Sequence, residues 1–256
     1  MKLGELYTYL CRNVAPQELS ASWDNDGVMC ADGLDMNVRR VLVALEPKLE
    51  AIEYAAQNGF DLLLTHHPLI FRGIKHLDGK TASSRRAISA LRCDLPVISL
   101  HTRLDAAEGG VNDALVQMLG LESVGKFGDE ESPVLGRLVS FEEEGGIEAE
   151  ELARLVKERL GCRSLRVYGD ALIEKAALVG GDGKDFIVPA ELAGAGALIT
   201  GDAGYNDAEE AAERGFVVIE AGHYHTEFPV CLTLANLMEE LGLESEVFES
   251  CPYTSL

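Results

Sequence analysis

The stretch Leu62-Leu63-Leu64-Thr65-His66-His67-Pro68-Leu69-Ile70-Phe71 runs an apolar segment straight into two histidines and a proline. Three leucines in succession suit a strand buried on both faces, the pattern of parallel sheets. The imidazoles then emerge at the strand's carboxyl end. Two other places repeat the arrangement. Val97-Ile98-Ser99-Leu100 precedes His101-Thr102-Arg103-Leu104-Asp105, and Phe216-Val217-Val218-Ile219 leads into Gly222-His223-Tyr224-His225-Thr226-Glu227. Five of the chain's six histidines fall in these three segments. In open α/β sheets ligands bind outside the carboxyl ends of the strands, so segments remote in sequence can converge there without long loops.

Imidazole and carboxylate together suit zinc, iron, manganese, cobalt or nickel, and no cysteine lies inside the motifs to suggest thiolate ligation. Adjacent side chains on extended backbone point to opposite sides, and Pro68 keeps His67 in the β or polyproline region. The spacing therefore predicts that the His66 and His67 rings straddle two ions rather than chelate one. His101 and Asp105 are four residues apart, as are His223 and Glu227, a separation that brings side chains together over one helical turn. Asp105 and Glu227 would supply the negative charge that two divalent cations about 3.5–4 Å apart require. A single histidine near a strand end is ordinarily a hydrogen-bonded polar group, so the joint pattern carries the argument. His76, beside Arg72 and Lys75, reads as surface. His225, between two expected ligands, is ambiguous.

Outward from the motifs, helices and strands alternate. Helices are expected over 3–13, 48–58, 83–92 and 110–119, with strands over 38–45, 61–65 and 97–101. The breaker-rich stretch 125–133 reads as a linker. Beyond it come strands over 134–141, 164–168, 176–179, 197–200, 216–220 and 246–249, with helices over 147–160, 207–214 and 226–241. Pro229 falls in the first turn of the last helix, where it costs little. The expected fold is α/β: a lobe over 1–124 carrying His66, His67 and Asp105, and a second over 134–256 carrying His223 and Glu227. Largely parallel sheets are expected in both, with a dinuclear metal site in the cleft between them. Gly180-Gly181-Asp182-Gly183 reads as a tight turn or a phosphate approach. Trp23, the sole tryptophan, is either packing or pocket lining, with Asp24, Asn25 or Asp26 able to bond a ligand or orient a histidine. Asp202 would orient a metal ligand or cap a turn.

With 256 residues, 47% hydrophobic and 25% charged, the chain can bury a large core. No run approaches the roughly 18 to 20 apolar residues of a membrane helix, and Met1-Lys2-Leu3-Gly4-Glu5 lacks a signal-peptide pattern, so a cytoplasmic protein with no membrane partner is expected. The six dispersed cysteines are expected as reduced thiols. A net charge of −21 argues against nucleic-acid polymers as partners. Acidic runs at 142–144 and 148–151 read as solvated faces. A nucleotide substrate would need metals, or cations such as Arg103 or Arg72, to offset repulsion.

Ser22-Trp23-Asp24-Asn25-Asp26-Gly27, Thr65-His66-His67-Pro68-Leu69-Ile70-Phe71-Arg72, His101-Thr102-Arg103-Leu104-Asp105 with Gly109-Gly110-Val111-Asn112-Asp113, Thr200-Gly201-Asp202, and Gly222-His223-Tyr224 with Thr226-Glu227 together resemble the signatures of one family. It is the dinuclear-metal-centre hexameric family, whose members carry the name type 2 GTP cyclohydrolase I homologues. The resemblance implies metal ligands at His66, His67, Asp105, His223 and Glu227, with His101 as a further ligand or an orienting group. It also implies a toroidal homohexamer of two-lobed α/β subunits. The chain departs from the family at Tyr205-Asn206-Asp207-Ala208, where relatives resemble Tyr-His-Asp-Ala, and at His225, where a non-histidine is usual. It lacks the mid-chain domain of longer relatives. An amide at Asn206 cannot exchange a proton as imidazole does.

The expected activity is hydrolysis by two divalent ions that acidify a bound water, with His101 or His225 as general acid or base and a small molecule, a nucleotide by the family name, as substrate. A phosphoesterase is the nearest rival. A ring-forming scaffold or ligand-binding protein whose ions turn nothing over is the alternative from another class. Five protein ligands for two ions leave coordination positions open, which favours chemistry.

Overall fold

The computed structural model describes residues 1–128, 134–142 and 145–254. Its strands, in chain order, are β1 (Gly27–Cys30), β2 (Arg40–Ala44), β3 (Leu62–Thr65), β4 (Val97–Ser99), β5 (Gly125–Phe127), β6 (Gly136–Ser140), β7 (Ile147–Glu148), β8 (Arg166–Tyr168), β9 (Leu172–Ile173), β10 (Lys175–Asp182), β11 (Ala197–Asp202), β12 (Val217–Glu220) and β13 (Glu244–Phe248). The α-helices are α1 (Leu3–Asn13), α2 (Leu49–Gln57), α3 (Ala82–Arg92), α4 (Thr102–Ala106), α5 (Val111–Leu119), α6 (Ala149–Leu160), α7 (Ile187–Leu192), α8 (Tyr205–Glu213), α9 (His223–Glu227) and α10 (Pro229–Glu240). The mixed α/β class expected from the sequence is the one observed.

Two compact units result. The first comprises Met1–Ala107 and Val230–Ser250, the second Glu108–Pro229 and Cys251–Leu256. This corrects the expected division at 125–133 on two counts. Gly125–Phe127 is not a linker but an edge strand, paired antiparallel with β6, while 129–133 lie outside the described residues. The late strand β13 belongs to the first unit, where it pairs parallel with β2 from Glu244↔Arg40 to Phe248↔Ala44. An unpaired β2 edge would leave backbone donors and acceptors open, and the returning strand fills them.

The first sheet has the order β1-β4-β3-β2-β13, parallel throughout except for β1, which runs antiparallel to β4 with a register shift between Val28 and Cys30. Leu42, Ala44, Leu63 and Val97 pack on one face with Ala51, Ile52 and Ala55 of α2 and Ala87 and Ala90 of α3. Val41, Val43, Leu62, Leu64 and Ile98 are just as fully buried, so both faces are covered and the leucine run of β3 finds its reason.

The second sheet runs β5-β6-β10-β11-β12-β8, parallel from β10 to β12 and antiparallel at its edges. Alternate residues enter opposite cores. Val139, Ala176, Leu178, Ala197, Ile199, Val217 and Ile219 join one cluster, and Leu138, Ala177, Val179, Leu198 and Val218 join the other. Helix α6 covers the first of these with Leu152, Ala153 and Val156, has Glu150 and Glu151 in its first turn, and ends at Gly161 with φ +66°. The acidic residues Glu142, Glu148, Glu150 and Glu151 are exposed, as solvated faces should be; Glu143 and Glu144 lie outside the described residues.

The helix expected over 226–241 is two helices. A proline at 229 has no N–H to continue the first, so α9 ends at Glu227 and α10 starts at Pro229.

Candidate metal centre

In the first unit, β3 and β4 deliver three histidines to their carboxyl ends. Thr65 Oγ1 lies 2.8 Å from the His67 carbonyl and 2.8 Å from Ser99 Oγ, and Leu100 N donates to Thr65 O at 2.9 Å, which fixes the two strand ends together. His66, fully buried, donates Nδ1–H to Leu100 O at 3.0 Å. His67 donates to Glu46 Oε1 at 2.8 Å, and His101 to Asp24 Oδ1 at 2.7 Å. Each partner is an acceptor only, so each ring carries a proton on Nδ1, which leaves Nε2 as the ring atom a metal ion would take. One ligand atom from each of His66, His67 and His101 can be chosen so that all lie within 4.8 Å of one another. Asp105 Oδ1 is 3.6 Å from His66 Nε2.

The expectation that His66 and His67 point to opposite sides is not met, for their ring centroids are only 4.8 Å apart. Strand β3 ends at Thr65, so the alternation of an extended strand no longer applies to the two residues beyond it. The geometric reason given for two ions therefore falls away.

Helix α4 carries Asp105 and is preceded by His101. His101 is the residue before its first turn, and Asp24 caps that turn from outside by accepting from Thr102 N at 3.0 Å and Thr102 Oγ1 at 2.6 Å. Burial pushes the Asp24 carboxyl up, but hydrogen bonds from His101 and Thr102 outweigh it and hold the group well below the usual carboxylate range. Asp105 turns its carboxylate to His66, although the four-residue spacing had suggested His101.

In the second unit, the ends of β11 and β12 support α9. Gly222, at φ +90°, makes the turn into the helix. His223 donates Nδ1–H to Asp202 Oδ2 at 2.7 Å, and its Nε2 lies 3.1 Å from Oε2 of Glu227, which is 4% exposed. Here the spacing of four does what one helical turn predicts. Close approach explains the glycines around it. A Cβ on Gly181 would stand 2.1 Å from Glu227 Oε1, and one on Gly201 would stand 2.7 Å from the Cα of His223. Gly180 and Gly181 thus make room for the Glu227 side chain of α9, and Gly183 makes room for Thr200. His225 meets Tyr253 and Tyr224 edge-on at 6.2 and 5.6 Å, in a cavity of ≈ 560 Å³ that also takes in His223, Asp202, Arg166 and Glu220. Burial lowers its pKa, against a bond to the Leu160 backbone.

Residues 1–254 match the family model described as Duf34/NIF3 (NGG1p interacting factor 3). The chain belongs to the Duf34/NIF3 family. A relative from Clostridium perfringens named GTP cyclohydrolase 1 type 2 homolog is 35% identical over 254 residues, covering 96% of this chain and 94% of that one. The crystal structure of a Staphylococcus aureus hypothetical protein is similar with a TM-score of 0.91 at 25% identity, over 100% of this chain and 99% of that one. A Bacillus cereus protein related to NIF3 shares the fold with a TM-score of 0.86 at 21% identity, over 100% and 99%.

Within this Duf34/NIF3 chain, sequence reasoning missed Glu46. The signal was present: it follows β2 just as the histidines follow β3 and β4. Asp24 bonds His101 and Asp202 bonds His223, the histidine contacts that were one of the alternatives for each. Arg103 is corrected. It is fully buried, paired with Asp26 at 3.2 Å, with Cys11 Sγ 3.4 Å from its Nη1 and the Tyr7 ring 5.7 Å away, so it offers no charge to a substrate. Arg72 and His76 are exposed, and Asn206 lies exposed in the first turn of α8.

Proposed function

We propose that this protein is a metal-dependent hydrolase of a small substrate, with His66, His67, Asp105, His223 and Glu227 serving one centre for two divalent ions. The observation that carries the reading is the uniform orientation of His66, His67, His101 and His223. Each gives its Nδ1 proton to a carbonyl or carboxylate, the arrangement that metal-ligating histidines almost always show. Asp105 and Glu227 add the hard, anionic ligands that a divalent ion needs beside neutral imidazole.

Bound ions would supply Lewis-acid polarisation of the substrate and a water acidified toward neutrality. The chain supplies the rest. His101, with Nδ1–H held by Asp24, keeps Nε2 ready to accept a proton beside the other two rings and return it to a leaving group. His225, half-buried in the cavity beside His223, is the second candidate acid or base. The GTP cyclohydrolase name of the Clostridium perfringens relative supports a nucleotide as the first substrate to try. A homohexameric ring is part of the same proposal, supported by the family resemblance.

Metal analysis of the purified protein, then assay against nucleotide and phosphoester panels with and without chelator, tests the reading. Bound metal with turnover abolished by chelator and by His67→Ala is the expected result. Metal bound with no chelator-sensitive turnover on any panel would replace it with a ligand-binding or scaffold role.

A further inference from the structure

We propose that Trp23 and Phe71 wall a subsite for a planar aromatic ring of the substrate, next to His101. Exposure alone would not carry this, since scattered apolar side chains are ordinary on protein surfaces. The arrangement carries it. Trp23 is 58% exposed and Phe71 43%. Their centroids are 6.1 Å apart with the planes at 79°, and both meet His101 edge-on, Trp23 at 6.5 Å and 77°, Phe71 at 5.8 Å and 84°. Three rings mutually near-perpendicular form the corner of a box. A flat ring laid against any one of them presents its own face or edge to the others in the offset and edge-to-face geometries that aromatic quadrupoles favour. An aliphatic or sugar ligand can touch these faces but lacks the quadrupole that the perpendicular arrangement pairs with.

The corner is also rigid. Asp24, the residue after Trp23, has a fully buried side chain and bonds His101 Nδ1, Thr102 N and Thr102 Oγ1. Ala21 N donates to Thr102 Oγ1 at 2.9 Å, and Asn25 Nδ2 donates to the carbonyl of Ile70, the residue before Phe71. The backbone flanking each aromatic is therefore tied down, and a ligand would find the wall already formed. The third side of the corner, His101, belongs to the triplet whose ligand atoms gather within 4.8 Å. A ring held there lies beside the groups proposed above for chemistry, so calling it part of the substrate rests on that proposed function; the wall itself does not.

Trp23 is the chain's sole tryptophan, so tryptophan emission, excited to the red of tyrosine absorption, reports on this site alone. The full chain, metal-loaded and chelator-treated, is titrated with guanosine and adenosine as aromatic probes and ribose as control. Saturable quenching by both nucleosides and none by ribose is expected, in both metal states. Phe71→Ala should weaken nucleoside binding about tenfold, the size of one lost stacking partner, with circular dichroism and metal content unchanged. Phe71→Tyr should restore it. No saturable quenching, or equal affinity in Phe71→Ala, overturns the subsite. So does Trp23 emission that shifts with protein concentration and ignores nucleoside, because a second copy would then cover the wall. Quenching without turnover sinks the hydrolase and keeps the subsite; turnover without quenching does the reverse.

Discussion

A carboxylate 2.8 Å from Nδ1 does two things to His67: it selects the tautomer and it makes the ring a stronger base at Nε2. Removing it frees the ring to rotate and to carry its proton on either nitrogen. Glu46→Ala should therefore lower metal affinity about 10–100-fold, read by competition with a chromophoric chelator, while the melting temperature of the metal-free protein moves little. Cys162 offers a residue-scale test of a different kind. Its thiol donates to Ala221 O at 3.3 Å, and burial pushes its pKa up from 9.0 to about 11. The unfolded thiol ionises first as pH rises, so the folded state binds more protons in that window and the contribution of Cys162 to stability falls between about pH 9 and about 11. Urea midpoints across that range should decline less in Cys162→Ala than in the parent chain. At this scale the candidate ligands were legible because histidine is rare here and clusters after apolar runs. Glu46 was not, since one glutamate among so many acids carries no mark until the fold sets it against a ring.

Among the elements, the strands that precede the candidate ligands were the easiest to read. Leu62–Leu64 and Val217–Ile219 are buried on both faces, which leaves an unbroken apolar run in the sequence. Strand β1, Gly27–Cys30, went unseen because it is short, flanked by turn residues and only partly buried. The strand β13 was foreseen in place but not in partner, for nothing in a sequence states which sheet a late strand will join. Its pairing with β2 makes a direct test. Glu246→Pro, at the position opposite Leu42, removes a ladder donor in mid-strand and should cut the melting temperature sharply or abolish cooperative unfolding of the first unit. Glu246→Gln, which keeps the backbone and still accepts from Tyr54 Oη at 2.6 Å in the native chain's geometry, should unfold close to the parent. Glu246→Pro melting with the parent would mean that the ladder bond at this position carries no stability.

The whole molecule carries −21, and a ring of six would multiply that charge sixfold on neighbouring surfaces. Exposed charges farther apart than about 10 Å are largely screened at 0.1 M salt, so the proposed assembly should strengthen as ionic strength rises from a few millimolar. Light scattering across a salt series reads this directly, and a mass of one 27.6 kDa chain at every salt concentration would dismiss the ring. Among the described residues no helix is long and apolar enough to cross a membrane.

The returning strand also sets an order of events during synthesis. A ribosome releases the first hundred residues early, yet β2 cannot gain its outer neighbour until Phe248 has emerged. Most of the second unit, an unbroken span from Glu108 to Pro229, is complete well before that. The later-made unit can thus close its sheet first, while the amino-terminal unit waits with an open edge, and it is this nascent edge that a holding chaperone would be expected to shield.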